Sequence, residues 1–155
     1  TRDLKEIIVR SIRWKAGVVA RDEKETNERR LLNFGHTIGH ALEKLTNYKL
    51  RHGYAVGYGM LVEAKIAELL GILSSADNRS LAAHLAELGV KAKDLPAFLP
   101  AHIIDATKED KKVRGGCPHY VLLRSIGKAY TAHGQYAHPV ADAVVKKALN
   151  IMYAR

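Results

Sequence analysis

One cysteine, Cys117, stands among 155 residues, so no internal disulfide can staple the chain and a reducing, cytoplasmic compartment is expected. Aromatic residues make up only 6%, a thin supply for the stacking platforms that bind RNA. No recognition-helix, zinc-finger or RNA-stacking pattern is present, and specific nucleic-acid binding is not expected. No apolar run approaches the roughly 18 residues of a membrane span. The opening Thr1-Arg2-Asp3-Leu4-Lys5-Glu6 is charged where a secretory signal would turn apolar, and the missing initial Met suggests that Thr1 is not the natural start. Acidic residues are outnumbered 16 to 25 by Lys and Arg, a net charge of +9. That charge suits nucleic acid, a membrane surface or a small polyanion equally well.

What is present has mostly helical periodicity. Leu4, Ile7, Ile8, Ile12, Val18 and Val19 form one apolar stripe, followed by a charged connection over residues 21–30. Leu31, Leu32, Ile38, Ala41, Leu42 and Leu45 resume the helical period. Asn47 and Tyr48 predict a break before a third helix, from His52 to about Leu70. Ser75 or Asp77 is placed to cap a fourth helix closed by Gly89, and a short helix is expected from His102 to about Lys108. After the loop chemistry of Val113 to Pro118, a small hairpin is expected from Tyr120-Val121-Leu122-Leu123 and Ala129-Tyr130-Thr131-Ala132. Pro139 is expected in the first turn of a last helix. The fold class is therefore mainly α: a helical, bundle-like domain with a small β-hairpin, one domain over residues 1–155.

The densest chemical signal is Asn33-Phe34-Gly35-His36-Thr37-Ile38-Gly39-His40. Four residues apart on a helix, His36 and His40 share a face, with Gly35 and Gly39 beside them. Two imidazoles one turn apart can ligate a metal, or one can ligate while the other moves a proton. They can equally lie at the polar margin of a tightly packed helix. Each glycine costs the helix about 1 kcal/mol relative to Ala, and close approach of another backbone or a ligand would explain them. His52, at the mouth of the next helix, is brought near His36 if the helices are antiparallel neighbours. No acid lies in an obvious ligand pattern, since Glu43 is two turns beyond His36. Lys15, Arg29, Lys111 and Lys112 are cations of the kind that hold carboxylate and phosphate oxygens. Taken singly, each also reads as solvated surface charge. Trp14, Cys117, His84, His102, His119, His133 and His138 read as structural or surface residues.

These strings resemble the 3-dehydroquinate synthase family, specifically its C-terminal helical domain. The likeness runs from Lys15-x-x-Val18-Val19-x-x-Asp22-Glu23 through Arg29-x-Leu31-Leu32-Asn33-Phe34-Gly35-His36-Thr37-Ile38-Gly39-His40-Ala41-Leu42-Glu43 to His52-Gly53-x-Ala55-Val56-x-x-Gly59-Met60. Weaker matches follow at Asp110-Lys111-Lys112, Val121-Leu122-Leu123 and Ile126-Gly127-Lys128. The resemblance implies an enzyme that converts 3-deoxy-D-arabino-heptulosonate 7-phosphate into 3-dehydroquinate and phosphate in the shikimate route to aromatic amino acids. It also implies catalytic NAD+, a divalent metal (zinc or cobalt), an N-terminal NAD-binding α/β domain not contained in this chain, and a homodimer.

By the same resemblance His36 and His52 ligate the metal. Lys15, Arg29 and Asn33 surround the substrate, chiefly its carboxylate end; His40 lies near the departing phosphate, and Lys111 or Lys112 approaches it. A third metal ligand, a glutamate, precedes this segment in the family. The 155 residues alone are therefore expected to bind metal weakly and not to turn over substrate. Two positions depart from the family pattern: Tyr54 replaces a usual Glu, and Asn27-Glu28 replaces a usual Gly-Leu. The alternatives are another sugar phosphate cyclase, a metal-dependent polyol dehydrogenase, a basic helical module for nucleic acid or polyphosphate, and a domain kept only for subunit contacts.

Overall fold

Helix α1 (Arg2–Arg21) enters the molecule by its C-terminal end only. Val18 is buried, whereas Leu4, Ile7, Ile8 and Ile12 of the expected apolar stripe are about half or more exposed, as is Trp14. A computed structural model describes residues 2–109 and 117–154. After α1 the chain passes through a loop and a 3₁₀ helix (Glu28–Asn33) into α2 (His36–Leu45), α3 (His52–Leu69), α4 (Ser75–Glu87) and α5 (Pro100–Lys108). Four short strands follow, β1 (His119–Val121), β2 (Leu123–Ser125), β3 (Lys128–Ala129) and β4 (Ala137–Pro139), and α6 (Asp142–Tyr153) closes the order. The mainly helical class is as the periodicity indicates, and no described helix is long and apolar enough to cross a membrane.

The core lies where α2, α3, α5 and α6 meet. Ile38 and Leu42, Val62 and Ile66, Ile103, and Val145 and Leu149 are each fully buried there. Helix α3 is apolar on every side, the pattern of a helix enclosed by its neighbours, and its buried residues run almost without a gap from Ala55 to Ala67. Each large aliphatic side chain buried in this way contributes roughly 2 kcal/mol. The exposed ion pairs Arg10–Glu6 and Lys108–Asp142 each contribute under about 1 kcal/mol. Burial, not surface charge, holds the fold.

Three local readings change. The helical period through Leu31 and Leu32 is not one helix, because Gly35 sits at φ +81° and separates the 3₁₀ turn from α2. Ser74 caps α4 in place of Ser75 or Asp77; its hydroxyl oxygen accepts from the Asp77 amide at 3.0 Å. Pro139 belongs to β4, paired with His119, and α6 begins three residues later at Asp142. A proline at the end of a two-stranded ladder removes no needed donor. A small hairpin is present as β2 and β3 joined through Ile126-Gly127, but Tyr120 and Val121, expected in it, belong to β1 and pair antiparallel with β4.

Candidate metal and substrate site

Left-handed backbone at Asn47 and Tyr48 (φ 51° and 58°) turns the chain between α2 and α3. The helices then run antiparallel, since Gly35 faces residues 56–60, Gly39 faces Ala55 and Val56, and Glu43 meets His52. The glycines permit this approach. A Cβ on Gly59 would stand 1.9 Å from the Gly35 carbonyl oxygen, and one on Gly35 would stand 2.5 Å from that of Val56. The helical cost of these residues is thus offset by backbone-to-backbone contact between the two helices.

That contact gathers three imidazoles. The ring centroids of His36 and His40 are 5.4 Å apart, those of His36 and His52 5.4 Å, and those of His40 and His52 6.1 Å. Imidazoles bound to one zinc at about 2.1 Å in tetrahedral array have centroids roughly 5 Å apart. The centroid separations here are of that size. His52 Nδ1 lies 3.1 Å from Glu43 Oε1 and 3.2 Å from Oε2, and His36 Nδ1 lies 3.3 Å from the Phe34 carbonyl oxygen. A ring anchored through Nδ1 offers Nε2 to an ion, the usual outer-shell arrangement of metal-ligating histidine. Among the described residues, the ligand atoms that all lie within 4.8 Å of one another are those of His40, Glu43 and His52, a group that does not include His36. Glu43, set aside in the sequence for its distance from His36, enters through His52, a relation that only the helix crossing reveals. Beside His40 and Glu43 opens a cleft of about 450 Å³, lined also by Thr37, Lys44, Tyr48 and Glu109.

Beneath the imidazoles lies an acid that sequence reasoning missed. Glu63 of α3 is fully buried and accepts a hydrogen bond from the Gly35 amide through Oε2 at 2.9 Å. Burial pushes its carboxyl up to about 8, and the Gly35, Ile38, Thr37 and Val121 amides oppose that rise. Its Oε1 has no hydrogen-bond partner among the described residues, a condition that costs about 1–3 kcal/mol. The available signal was a single acid inside the apolar run from Ala55 to Ala67.

Arg29 and Asn33, two of the expected substrate residues, lie in the 3₁₀ helix that follows the loop after α1. Asp22 organises that loop: its carboxylate accepts from the Thr26, Asn27 and Arg29 amides and from the Thr26 hydroxyl at 2.8–3.0 Å. The amides of Arg29, Asn27 and Thr26, in that order, hold its pKa well below the usual carboxylate range. Arg29 Nη1 donates to the Glu23 carbonyl at 2.7 Å, and Asn33 Nδ2 donates to Glu25 Oε1 at 2.8 Å. Lys15 is exposed on α1. Lys111 and Lys112 lie outside the described residues. The two departures from the family pattern have local partners: Asn27 Nδ2 donates to the Gly134 carbonyl at 2.6 Å, Glu28 takes a forked contact from Arg21, and Tyr54 lies beside Gly89.

The model of the 3-dehydroquinate synthase C-terminal family matches residues 1–113. The chain belongs to that family. A 3-dehydroquinate synthase of Rhodopseudomonas palustris strain BisB18 is 41% identical over 150 residues, which is 90% of this chain and 39% of the relative. One of Rhizobium meliloti strain 1021 is 40% identical over 149 residues, 92% of this chain and 40% of the relative. The chain thus spans about two fifths of the length of these curated relatives. Among solved structures, a 2-deoxy-scyllo-inosose synthase complexed with carbaglucose-6-phosphate, NAD+ and Co2+ superposes with a TM-score of 0.86 at 26% identity, over 97% of this chain and 41% of that one. A 2-epi-5-epi-valiolone synthase from Streptomyces hygroscopicus subsp. jinggangensis 5008, with NAD+ and Zn2+ bound, gives 0.76 at 25%, over 95% of this chain and 39% of that one. The fold is that of the sugar phosphate cyclases, and two of its members carry NAD+ with a divalent metal.

Proposed function

We propose that this chain is the metal- and substrate-binding part of a cytoplasmic 3-dehydroquinate synthase, which cyclises 3-deoxy-D-arabino-heptulosonate 7-phosphate to 3-dehydroquinate and phosphate. The observation that carries the reading is the meeting of His36, His40 and His52 across the α2–α3 contact, with Glu43 on His52. His36 and His52 are the ligands for zinc or cobalt, each oriented through its Nδ1 side. When bound, the divalent ion supplies Lewis acidity toward substrate hydroxyls and NAD+ supplies the hydride acceptor.

The chain's own residues do the rest by binding and orientation. Arg29 keeps further N–H donors beyond the one given to Glu23, and with Lys15 and Asn33 it holds the substrate carboxylate. Lys111 or Lys112 approaches the phosphate. His40, at the edge of the cleft, is placed to move a proton beside the leaving group, work to which an imidazole is suited. An N-terminal NAD-binding domain and a second copy complete the enzyme, and the uncovered apolar side of α1 fits burial against such a remainder. The 155 residues alone do not turn over substrate.

A second reading, a cyclase acting on a neutral sugar phosphate, is favoured by the likeness to 2-deoxy-scyllo-inosose synthase. Retention of Lys15, Arg29 and Asn33 argues for the carboxylate-bearing substrate. The test is phosphate release by the full-length enzyme. We expect NAD+-dependent release from the heptulosonate phosphate, a fall of at least roughly a hundredfold in Arg29→Ala, and little release from a neutral sugar phosphate. Preference for the neutral substrate, or robust product formation by the 155-residue chain alone, would overturn the respective claims.

A further inference from the structure

Helix α2 starts without a cap of its own. Its N-cap residue is Gly35, which has no side chain to accept from the first amides of the helix, and no local side chain takes that role. An uncapped start leaves the first amides of a helix unsatisfied, and here the start is buried: Gly35, Ile38 and Gly39 are all enclosed. The acceptor comes instead from α3, where Glu63 Oε2 takes the Gly35 amide at 2.9 Å. The nearby Thr37, Ile38 and Val121 amides favour the charged form of this carboxyl, while its Oε1 accepts no hydrogen bond among the described residues. On the far side of the same turn, Thr37 Oγ1 donates to the His119 carbonyl of β1 at 2.7 Å. One buried carboxyl therefore stands where α2, α3 and β1 join.

We propose that Glu63 is the positioning residue of the imidazole cluster: a carboxyl on α3 that caps α2 in place of the side chain Gly35 lacks, and so fixes His36 and His40 against His52. His36 is the first residue of the capped turn and His40 lies one turn on. Fraying of that turn moves His36 before it moves anything else. His52 begins α3, eleven residues before Glu63 on the same helix, so the cap ties the two histidine-bearing helices through one contact. Capping by a residue from another helix constrains register in a way that a local Ser or Asp does not, because it fails if α2 slides on α3. The inference rests on the metal reading only for its second readout below.

The experiment compares Glu63→Gln, which keeps an accepting oxygen, with Glu63→Leu, which keeps volume without an acceptor, in the 155-residue chain. The first readout is amide hydrogen exchange. In Glu63→Leu, exchange at residues 35–38 is expected to quicken roughly tenfold or more, while amides of α4 and α6 keep wild-type protection. The second readout is Co2+ titration by visible absorption, where Glu63→Leu is expected to bind roughly tenfold or more weakly with a changed band shape, and Glu63→Gln within about threefold of wild type. Wild-type exchange at residues 35–38 in a folded Glu63→Leu chain overturns the proposal. If wild type binds no Co2+, the metal reading fails while the exchange comparison still decides the cap. If Glu63→Leu does not fold, Glu63→Gln decides: wild-type protection at residues 35–38 supports the proposal, and exchange there quickened roughly tenfold or more overturns it.

Discussion

Replacing Gly59 by alanine is expected to destabilise the chain by roughly 3 kcal/mol or more and to scatter the imidazoles. The added Cβ would stand 1.9 Å from the Gly35 carbonyl oxygen, 2.8 Å from its carbon and 3.0 Å from the Gly39 amide nitrogen. All three are backbone atoms, so no side chain can swing aside. Helices α2 and α3 must separate, and the separation falls on the contact that brings His36 and His40 to His52. For a domain of this size a loss of about 3 kcal/mol lowers Tm by roughly 10 °C. Gly53→Ala is the control. A Cβ there meets nothing within 4 Å, and alanine favours the helix by up to about 1 kcal/mol, so Tm should hold or rise. Thermal melts of the two variants check the prediction; a Gly59→Ala chain melting within about 2 °C of wild type would show that the helices do not meet as described.

The second large effect is on pH dependence. Burial raises the Glu63 carboxyl from 4.5 to about 8, so the folded chain holds that proton where the unfolded chain has released it. More protons bound in the folded state means that stability falls as pH rises. The contribution is full below the ordinary carboxylate range, declines between about 4.5 and 8, and levels off above. Asp22 acts with the opposite sign. Its pKa is lowered by the Arg29, Asn27 and Thr26 amides, so its contribution is full above the ordinary carboxylate range and is lost in acid. A fall in Tm of roughly 5 °C or more is expected between pH 5 and pH 8.5. In Glu63→Gln that alkaline decline flattens, while in Asp22→Asn the acid limb flattens. Melts across pH in the three chains check this, and an unchanged alkaline slope in Glu63→Gln would contradict the burial of an ionisable group at that place.

Much of the fold was legible because its signals are local. Asn47 and Tyr48 announce the reversal before α3, His52 and Gly71 bracket that helix, and Gly89 at φ +86° closes the turn after α4. Gly35 and Gly39 were legible as a cost in need of a reason, and the reason is the backbone of α3. The convergence of His36, His40 and His52 followed from helical spacing and an antiparallel neighbour. Less legible were features set by tertiary contact. Period alone does not distinguish a stripe facing a core from one facing outward, and Leu4, Ile7, Ile8 and Ile12 face outward. The same period runs through Leu31 and Leu32, where Gly35 interrupts the helix, and Pro139 reads equally well as a helix start or a strand end. Glu43 and Glu63 escaped because their partners, His52 and the Gly35 amide, lie on another element. A carboxylate's role there depends on which helix crosses it, and sequence spacing along one helix carries no such information.

Cobalt(II) titration of the 155-residue chain, followed by its visible absorption, tests the central claim most directly. The account predicts saturable binding of one ion, weak in the chain alone. His36→Ala and His52→Ala should each reduce the affinity at least roughly tenfold. His84→Ala, on α4 with its ring held to the Ser80 carbonyl, should bind as wild type does. Absence of saturable binding, or binding indifferent to both His36 and His52, would contradict the reading of the α2–α3 imidazole cluster as a metal site.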